Sequence, residues 1–391
     1  MSTQPDLLYT EEEEALRAAV RDLLADHCDA PGVIARTESG APHDTAAWKA
    51  LAGTMGLAGL LIPEELGGQG ATHREAAVVL EELGRAVAPV PYLTSAVVAT
   101  EALLECGDDE LLGRLASATT VAALALPLNT AAGGAYRVVR HEGGALHGEL
   151  TGIADAAIAD VLLVPADDGG LYAVDADAVT VTPHPSLDLT RPVATVTLDG
   201  APGRLLGDAE PAVRRALSAG AGLLASEQLG LADWTLTETV RYLKERKQFN
   251  RPVGGFQALK HRLAQLWLEV VNLRAAARAA ADALVGARSS RARTSMEMAT
   301  GGTRVTIRGE GVYDFARQLG RLKVRLPQDP AGTGGQRPIT ELLAPGALFM
   351  KNRGAGVPAD KWVRVETRSL TDGNLVTGGA TDPFAAGDEI A

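Results

Sequence analysis

The sequence has few cysteines, and it lacks both a secretion signal and the long apolar run of a membrane-spanning helix. Cys28 and Cys106 stand far apart with no Cys/His cluster near either. This excludes a disulfide framework and a metal site of the zinc type, and it predicts buried thiols in a reducing, cytoplasmic compartment. The first residues contain neither a basic nor an apolar segment, so no signal peptide is expected. No stretch of about 20 uncharged apolar residues occurs, so no membrane span is expected.

Signatures of nucleotide-binding folds and of nucleic-acid binding are also missing. No GxGxxG follows a predicted strand and no Walker loop occurs, which argues against a Rossmann unit. The net charge is −12, from 37 basic and 49 acidic residues, and no strongly basic stretch offers nucleic acid a binding face. The chain does have 46% hydrophobic residues over 391 positions, with 43 Gly and 20 Pro that follow no period. That composition predicts a globular protein.

Sequence patterning predicts an α+β fold in four blocks: 1–118, 119–208, 209–287 and 288–391. Apolar residues at helical spacing predict an N-terminal helical domain and, in the third block, a hairpin of two long helices. Short β-rich runs with Gly, Asp and Pro between them predict a small antiparallel β-barrel or sandwich in the second block. Alternating runs predict strands in the tail, which carries 15 Lys and Arg against 11 Asp and Glu. Its net charge is therefore +4, against −16 for the rest.

Four separated motifs carry a family resemblance. Ile62–Gly70 reads IPEELGGQG, Glu81–Arg85 reads EELGR, and Ser186–Arg191 reads SLDLTR. The most specific motif is Arg246–Val253, RKQFNRPV, with FQALKH starting at Phe256. In this order, over about three quarters of the chain, they resemble the acyl-CoA dehydrogenase family and its RxQFGxPI…FQ signature. The third block would then be a truncated version of that family's four-helix bundle.

The resemblance implies FAD-dependent α,β-dehydrogenation of an acyl-CoA substrate. In that family a carboxylate removes the α-proton while FAD takes a hydride from the β-carbon. A proton next to a thioester is weakly acidic, so the base must lie close and the carbonyl must be polarised. The expected partners are the acyl-CoA, an electron-transfer acceptor, and either further copies of this chain or a second chain of a heteromeric dehydrogenase.

The same resemblance implies the residues that bind the cofactor. Arg246 offers forked donors that suit a pyrophosphate. Taken alone, it would be a surface arginine at a helix corner. In the second block, the stretch LALPLNT matches the family loop near the flavin, and only its last two residues can donate hydrogen bonds there. The resemblance implies that Arg246, Gln248 and Phe249 reach FAD bound in a neighbouring subunit, with Gln257 close by. Asn129 and Thr130 are the predicted contacts to the flavin ring.

The sequence departs from the family at the catalytic base. The family's QxxGGxG motif and the Glu that often accompanies it do not occur after Leu284, because Ala331–Gln336 has its glycines in another order. The other family position for the base falls at about Gly220, which has no carboxylate. Glu227 is the nearest acid on that helix and is the predicted catalytic residue. Its alternative role is that of a solvated or interface glutamate.

The tail has a separate resemblance. Gly309–Ala316, Leu343–Asn352 and Lys361–Val363 are similar to segments of the half-barrel of actinobacterial cell-envelope lipoproteins. A diverged dehydrogenase tail is the alternative. Two further functions therefore stay open beside a dehydrogenase impaired by its tail. One is a non-catalytic partner subunit that lends Arg246 to FAD held by another chain, and the other is a lipid-binding or structural fusion protein.

Overall fold

A computed structural model describes residues 7–127, 129–286, 290–300, 303–314, 319–325, 339–344, 347–351 and 361–366. The chain divides into two compact units, with the boundary between Val285 and Gly286. Helices and small sheets are mixed, which confirms the predicted α+β class. The domain boundaries predicted at 118 and 208 stay predictions. The glycine-rich stretch at 331–336 lies outside the described residues.

Most of the first unit is helical. π-Helical turns at Ala50–Thr54 and Tyr92–Ala99 lie between its regular helices. The described α-helices are α1 (Glu11–His27), α2 (Ala30–Glu38), α3 (Thr45–Lys49), α4 (His73–Ala86), α5 (Thr100–Cys106), α6 (Asp109–Ala116), α7 (Ala209–Glu245) and α8 (Gln257–Gly286). Two leucine-rich clusters form the core, one around α1, α3 and α4 and one around α5, α6 and the start of α7.

Reciprocal side-chain caps start the two helices that organise the first core. The Thr10 hydroxyl accepts from Glu13 N at 3.1 Å, and Glu13 Oε2 accepts from Thr10 N at 2.7 Å. Thr72 and Glu75 form the same arrangement at the start of α4. Each cap satisfies backbone donors that have no partner within the helix, so the start of the helix is fixed locally.

Two buried carboxylates of α4, Glu81 and Glu82, are neutralised by side chains that precede them in the chain. Arg17 donates to Glu81 at 3.0 Å and to Glu82 at 2.9 Å. Arg21 donates to both oxygens of Glu82, at 2.6 and 2.8 Å. The Tyr9 hydroxyl donates to Glu81 Oε2 at 2.6 Å. Because a buried charge is costly unless it is paired, this network specifies how α1 packs on α4.

The segment before α1 is held by two further arginines. Arg278 of α8 stacks its guanidinium 3.7 Å from the centre of the Tyr9 ring and donates Nη1 to Leu7 O at 2.8 Å. Arg74 of α4 donates Nη2 to Leu8 O at 3.0 Å. The start of the described chain is thereby attached to α4 and to α8.

The middle region is a sandwich of two four-stranded sheets, in the orders β1-β4-β5-β8 and β2-β3-β7-β6. Side chains of both sheets share one apolar cluster, so the sandwich alternative is confirmed and the barrel is wrong. One pair departs from the predicted antiparallel pattern, because β1 and β4 are parallel. The strands are β1 (Ala122–Leu124), β2 (Arg140–Glu142), β3 (Ala145–Ala154), β4 (Val161–Pro165), β5 (Gly170–Asp175), β6 (Thr180–His184), β7 (Val193–Pro202) and β8 (Arg204–Asp208).

The predicted hairpin of two long helices is present as α7 and α8. α7 and α8 are joined by a short hairpin of β9 (Lys247–Gln248) and β10 (Arg251–Pro252). The second unit is a six-stranded antiparallel meander in sequence order. Its strands are β11 (Ser290–Thr300), β12 (Thr303–Asp314), β13 (Leu319–Arg325), β14 (Ile339–Ala344), β15 (Ala347–Lys351) and β16 (Trp362–Glu366).

Both cysteines are free thiols; Cys28 is buried and Cys106 is half-buried. Burial raises the pKa of each thiol to about 11, so neither is a ready nucleophile. In the described part of the chain, no three His, Cys, Asp or Glu side chains are grouped as metal ligands. None of the described helices has the length and apolarity needed to cross a membrane. The cytoplasmic location stays a prediction.

Candidate functional site

The predicted cofactor residues at the end of α7 lie on a tight hairpin. The backbone N–H of Arg246 closes the helix by donating to Tyr242 O at 2.8 Å. Phe249 and Asn250 have φ values of 52° and 57°, which makes them the two left-handed residues of the turn. Asparagine tolerates that conformation better than most residues, so it replaces glycine here at little cost. Val253 N donates to Arg246 O at 2.7 Å and closes the hairpin onto the helix end.

This hairpin corner presents its polar side chains to solvent. Arg246, Gln248 and Gln257 are exposed, and among the described residues no side-chain hydrogen bond or ion pair engages them. The Phe249 ring is 88% exposed. It meets the Phe256 ring edge-on at 6.2 Å. An exposed aromatic beside donors without partners is an arrangement that a bound aromatic anion would complete.

The two predicted flavin donors of the middle region follow β1. Thr130 N donates to Pro127 O at 3.0 Å, which folds the chain into a turn, and Pro127 bridges to Ile153 of β3. Asn129 is exposed and Thr130 is half-buried. Neither side chain has a hydrogen-bond partner among the described residues, so both can donate to a ligand.

The predicted base, Glu227, is held in an ion pair. Its Oε1 accepts from Nη2 of Arg191, and Arg191 Nη1 donates to Ala88 O at 3.2 Å and Thr190 O at 3.1 Å. Burial opposes the charge of Arg191, but the attraction of Glu227 outweighs it and raises the pKa of the guanidinium. The Glu227 side chain is only 12% exposed. Arg191 engages only Oε1, so the other oxygen of this carboxylate, Oε2, keeps its capacity to accept a proton. The role of Glu227 as base stays a prediction.

Gly220, the other family position for the base, is buried on the same helix. A Cβ at this position would lie 2.8 Å from a methyl group of Val98, so the site has no room for a carboxylate in its present packing. Of the two positions on α7 considered for the base, one therefore holds an ion-paired glutamate and the other a close-packed glycine.

A small cavity of about 40 Å³ lies beside the Arg191–Glu227 pair. Asp155 lines it, with φ of 53°, and is held by His43 Nε2 at 2.9 Å and by the Thr94 hydroxyl at 2.6 Å. Its apolar walls come from α4 and from the segment that follows α4. The apolar side chains in these walls are Leu80, Leu83, Ala88, Val90 and Leu93, with Ala154 opposite.

Tyr92 also lines this cavity. It is 1% exposed, and no described residue shares a hydrogen bond with its hydroxyl. Burial raises its pKa far above the ordinary value, so the hydroxyl stays protonated and can both donate and accept. Sequence reasoning missed Tyr92, Asp155 and Arg191. Only Arg191 had a local signal, as the single cation in the loop SLDLTR.

Two glycines bring α4 and α7 into backbone contact next to this site. A Cβ added at Gly84 would lie 2.0 Å from Glu227 O, and one added at Gly230 would lie 1.8 Å from Glu81 O. Neither helix could approach so closely with any larger residue. The close crossing therefore fixes the position of Glu227 relative to α4.

Comparison with known proteins gives the family. The model of the acyl-CoA dehydrogenase N-terminal domain matches residues 10–118, and that of the C-terminal domain matches residues 211–308. Acyl-CoA dehydrogenase IpdE2 of Mycolicibacterium smegmatis is 37% identical over 266 residues, which are 68% of this chain and 75% of that protein.

Solved structures agree. A structure described as the Tcur3481-Tcur3483 steroid ACAD has a TM-score of 0.62 and 31% identity, covering 70% of this chain and 78% of its own. The ChsE4-ChsE5 complex from Mycobacterium tuberculosis has a TM-score of 0.63 and 29% identity, covering 71% and 79%. The resemblance of the tail to lipoproteins is not addressed by these matches and stays a prediction. Motifs, fold and relatives together show that the chain belongs to the acyl-CoA dehydrogenase family, flavoprotein oxidoreductases that act on CH–CH groups of acyl-CoA thioesters.

Proposed function

We propose that the chain is a subunit of an FAD-dependent acyl-CoA dehydrogenase that oxidises the α,β-bond of its substrate. One observation carries the proposal: Arg246, Gln248 and Gln257 lie on or beside one exposed hairpin with no described partner for their side chains. An unpaired guanidinium and two amides at a helix end suit an anionic dinucleotide. When bound, FAD supplies the hydride acceptor that amino-acid side chains lack.

Each hairpin residue has its own task in this proposal. Arg246 binds the pyrophosphate of FAD through charge-assisted hydrogen bonds, and Gln248 and Gln257 offer amide donors and acceptors to the same cofactor. Phe249 packs its exposed ring against an apolar part of the ligand, which removes an aromatic surface from water. Burial of this ring on binding would explain why the turn leaves it in solvent.

In the middle region, Asn129 and Thr130 donate hydrogen bonds to the flavin ring system. Their unengaged side chains after β1 support this assignment. Hydrogen bonds to the edge of the ring orient it and stabilise negative charge that develops there.

The proposal includes a second subunit. Large apolar side chains stay exposed along α7 and α8: Leu231 is 45% exposed, Trp234 36%, Trp267 58% and Leu268 56%. Apolar area of this kind on a helix pair marks an interaction surface. The similarity to a structure described as a ChsE4-ChsE5 complex supports a heteromeric partner, with a homo-oligomer as the alternative. An electron-transfer acceptor completes the set of partners.

A second candidate function is that of a non-catalytic partner subunit, and the ion pair of Glu227 with Arg191 favours it. In this form of the proposal the chain contributes Arg246 to FAD, while the base comes from the other subunit. If instead Glu227 is the base, it accepts the proton on Oε2, the oxygen that Arg191 does not engage. A Glu227→Gln variant distinguishes the two, since loss of a general base costs about 10²–10⁴-fold in rate.

Flavin affinity tests the cofactor site. We expect Arg246→Ala to weaken FAD binding about 10- to 100-fold, because a hydrogen bond to a charged group contributes about 1.5–3 kcal/mol. The matched control is Arg241→Ala, an exposed arginine just over one turn earlier whose side chain is engaged by Glu238 and Glu245. Titration of the apoprotein, alone and with the candidate partner chain, gives both affinities. Equal loss in both variants would contradict the assignment of Arg246.

Flavin reduction separates the two forms of the function. The complex is mixed anaerobically with saturated acyl-CoAs, and the loss of flavin absorbance is followed for wild type and Glu227→Gln. Retained bleaching in the variant supports the partner-subunit form. A loss of at least 100-fold with normal flavin content supports Glu227 as the base. No bleaching with any acyl-CoA in any assembly would refute the dehydrogenase proposal as a whole.

A further inference from the structure

The six-stranded sheet of the second unit has two chemically different faces. Directly opposite residues of neighbouring strands share a face, so the register assigns every paired residue to one side. All nine Lys and Arg residues of the six strands fall on the same side: two each on β11 and β12, three on β13, and one each on β15 and β16. This side, which carries Arg321, Lys323 and Arg325 of β13, is the cationic face.

Acidic residues do not balance the cationic face. The same register places four of them on it, Glu297, Glu310, Asp314 and Glu366, against the nine cations. The opposite face has no cation, one acid, Glu341, and mainly Val, Leu, Ile and Met. An antiparallel sheet with one solvated side needs polar residues there, but it needs no excess of one sign. In a chain of net charge −12, a positive face is a separate feature.

Cross-strand neighbours leave several of these cations without a counter-charge directly opposite. The register pairs Arg308 of β12 with Arg325 of β13, and like charges at opposite positions destabilise a sheet. Arg321 has apolar residues opposite it on both sides, Val312 and Leu342. An external anion bound between such residues would remove the repulsion and gain charge-assisted hydrogen bonds.

Aromatic and apolar residues lie among these cations. Trp362 of β16 is 43% exposed, and Lys351 Nζ of β15 lies 5.6 Å from the centre of its ring. Phe349 and Leu342 are half-buried and oppose each other on the same face. Tryptophan beside Lys and Arg is typical of protein surfaces at the membrane–water interface, where the rings lie at the level of the lipid headgroups.

An anionic bilayer fits the cationic face better than a nucleic acid does. Single-stranded nucleic acids bind by stacking successive bases on aromatic side chains. On this face Phe349 is half-buried, and the Trp362 ring already has Lys351 over it. Strands about 4.8 Å apart present their cations in one layer, which an array of lipid headgroups can meet together.

We propose that the cationic face binds the anionic surface of a phospholipid bilayer. The second unit would thus bring the chain to a membrane by a peripheral contact, in which cations meet lipid phosphates and Trp362 enters the headgroup layer. The chain as a whole is acidic, so the attraction comes from this face and not from the net charge. The contact does not depend on FAD or acyl-CoA binding.

Sedimentation of the full chain with vesicles tests this contact. One vesicle type is phosphatidylcholine alone, and the other contains about one third phosphatidylglycerol. We expect binding to the anionic vesicles only. Each basic residue at such a surface strengthens binding about 5-fold, so Arg321→Gln/Lys323→Gln should weaken it about 25-fold. The matched control is Arg137→Gln/Arg140→Gln, which removes two exposed arginines of the middle region and should bind as wild type does.

Two measurements keep the test independent of any effect of these substitutions on folding. Arg321→Lys/Lys323→Arg changes the same positions, keeps their charge and should retain binding. Raising the salt concentration needs no substitution and should release wild type from the anionic vesicles. Phosphatidylglycerol with bromine in its acyl chains should quench the tryptophan fluorescence of wild type more than that of Trp362→Phe.

Several outcomes overturn the proposal. They are equal binding to both vesicle types, no binding to either, binding that survives high salt, and an Arg321→Gln/Lys323→Gln variant that binds as wild type does. Equal quenching in wild type and Trp362→Phe would assign the membrane contact to another surface. Tighter binding to a single-stranded oligonucleotide than to the anionic vesicles would assign the cationic face to nucleic acid instead. None of these results bears on the proposed dehydrogenase function, which the flavin measurements test.

Discussion

Gly84 and Gly230 let α4 and α7 cross with their backbones in contact, and an alanine at Gly84 tests this crossing. The added Cβ would lie 2.0 Å from Glu227 O, whereas real Cβ contacts stay beyond 3.0 Å. The helices must therefore separate by about 1 Å, which opens their shared core. Overpacking of this kind costs about 3 kcal/mol. Alanine recovers about 1 kcal/mol through its higher helix propensity.

The net expectation for Gly84→Ala is a loss of about 2 kcal/mol in the free energy of unfolding. In a unit of this size, that corresponds to a melting temperature lower by about 4–8 °C. Gly113 of α6 is the matched control, since its added Cβ would lie an ordinary 3.7 Å from Leu66 O. Gly113→Ala gains the propensity term alone and is expected to raise the melting temperature by about 2–4 °C.

Thermal unfolding followed by circular dichroism measures both variants. The same separation of the helices relieves the clash at Gly230, so the double variant Gly84→Ala/Gly230→Ala should cost less than the sum of the single ones. If Gly84→Ala is as stable as Gly113→Ala, the two helices do not cross in backbone contact and the reasoning is refuted.

Two further outcomes concern buried charges. Arg191→Met leaves Glu227 without its counter-charge and should cost roughly 3 kcal/mol in denaturant unfolding, whereas Arg191→Met/Glu227→Leu should recover most of it. Equal losses in the single and the double variant would show that the cost does not come from the unpaired charge of Glu227. Burial opposes ionisation of Glu101, but hydrogen bonds from His73 and Arg215 outweigh it and lower the pKa of Glu101. The unfolded chain protonates such a carboxyl near pH 4.3, so stability should be lost as pH falls below that value. In Glu101→Gln, the urea midpoint should therefore change less between neutral pH and about pH 3.5 than it does in wild type.

Short-range sequence patterns were sufficient to predict much of the fold. The acidic first turn of α1, the break at Asn250–Gly255 between α7 and α8, and the turn residues of the sandwich are all readable in sequence. β8 was missed, because Arg204–Asp208 is a short, partly exposed edge strand with no clear alternation. The parallel pairing of β1 with β4 was missed as well, since the strands are separated by a crossover through the other sheet.

The site was predictable only where its residues are neighbours in sequence. The hairpin from Arg246 to Gln257 was identified from its motif, and the structure gives those side chains the exposure that a ligand needs. The Arg191–Glu227 pair joins a loop to a helix 36 residues away, so no local pattern announces it. The Tyr92 hydroxyl has no hydrogen-bond partner among the described residues, and this too depends on tertiary packing rather than on a local sequence pattern.

The contacts of Tyr9 have a consequence for the order in which the chain acquires its structure during synthesis. α1 leaves the ribosome before α4, so Arg17 and Arg21 are present when Glu81 and Glu82 need counter-charges. Arg278 is translated last of this group, 271 residues after Leu7, whose carbonyl it binds. Until α8 emerges, the segment before α1 has its contacts with α4 but lacks those with Arg278 of α8. A ribosome stalled before α8 should therefore display a protease-sensitive N-terminus that becomes protected once α8 is complete.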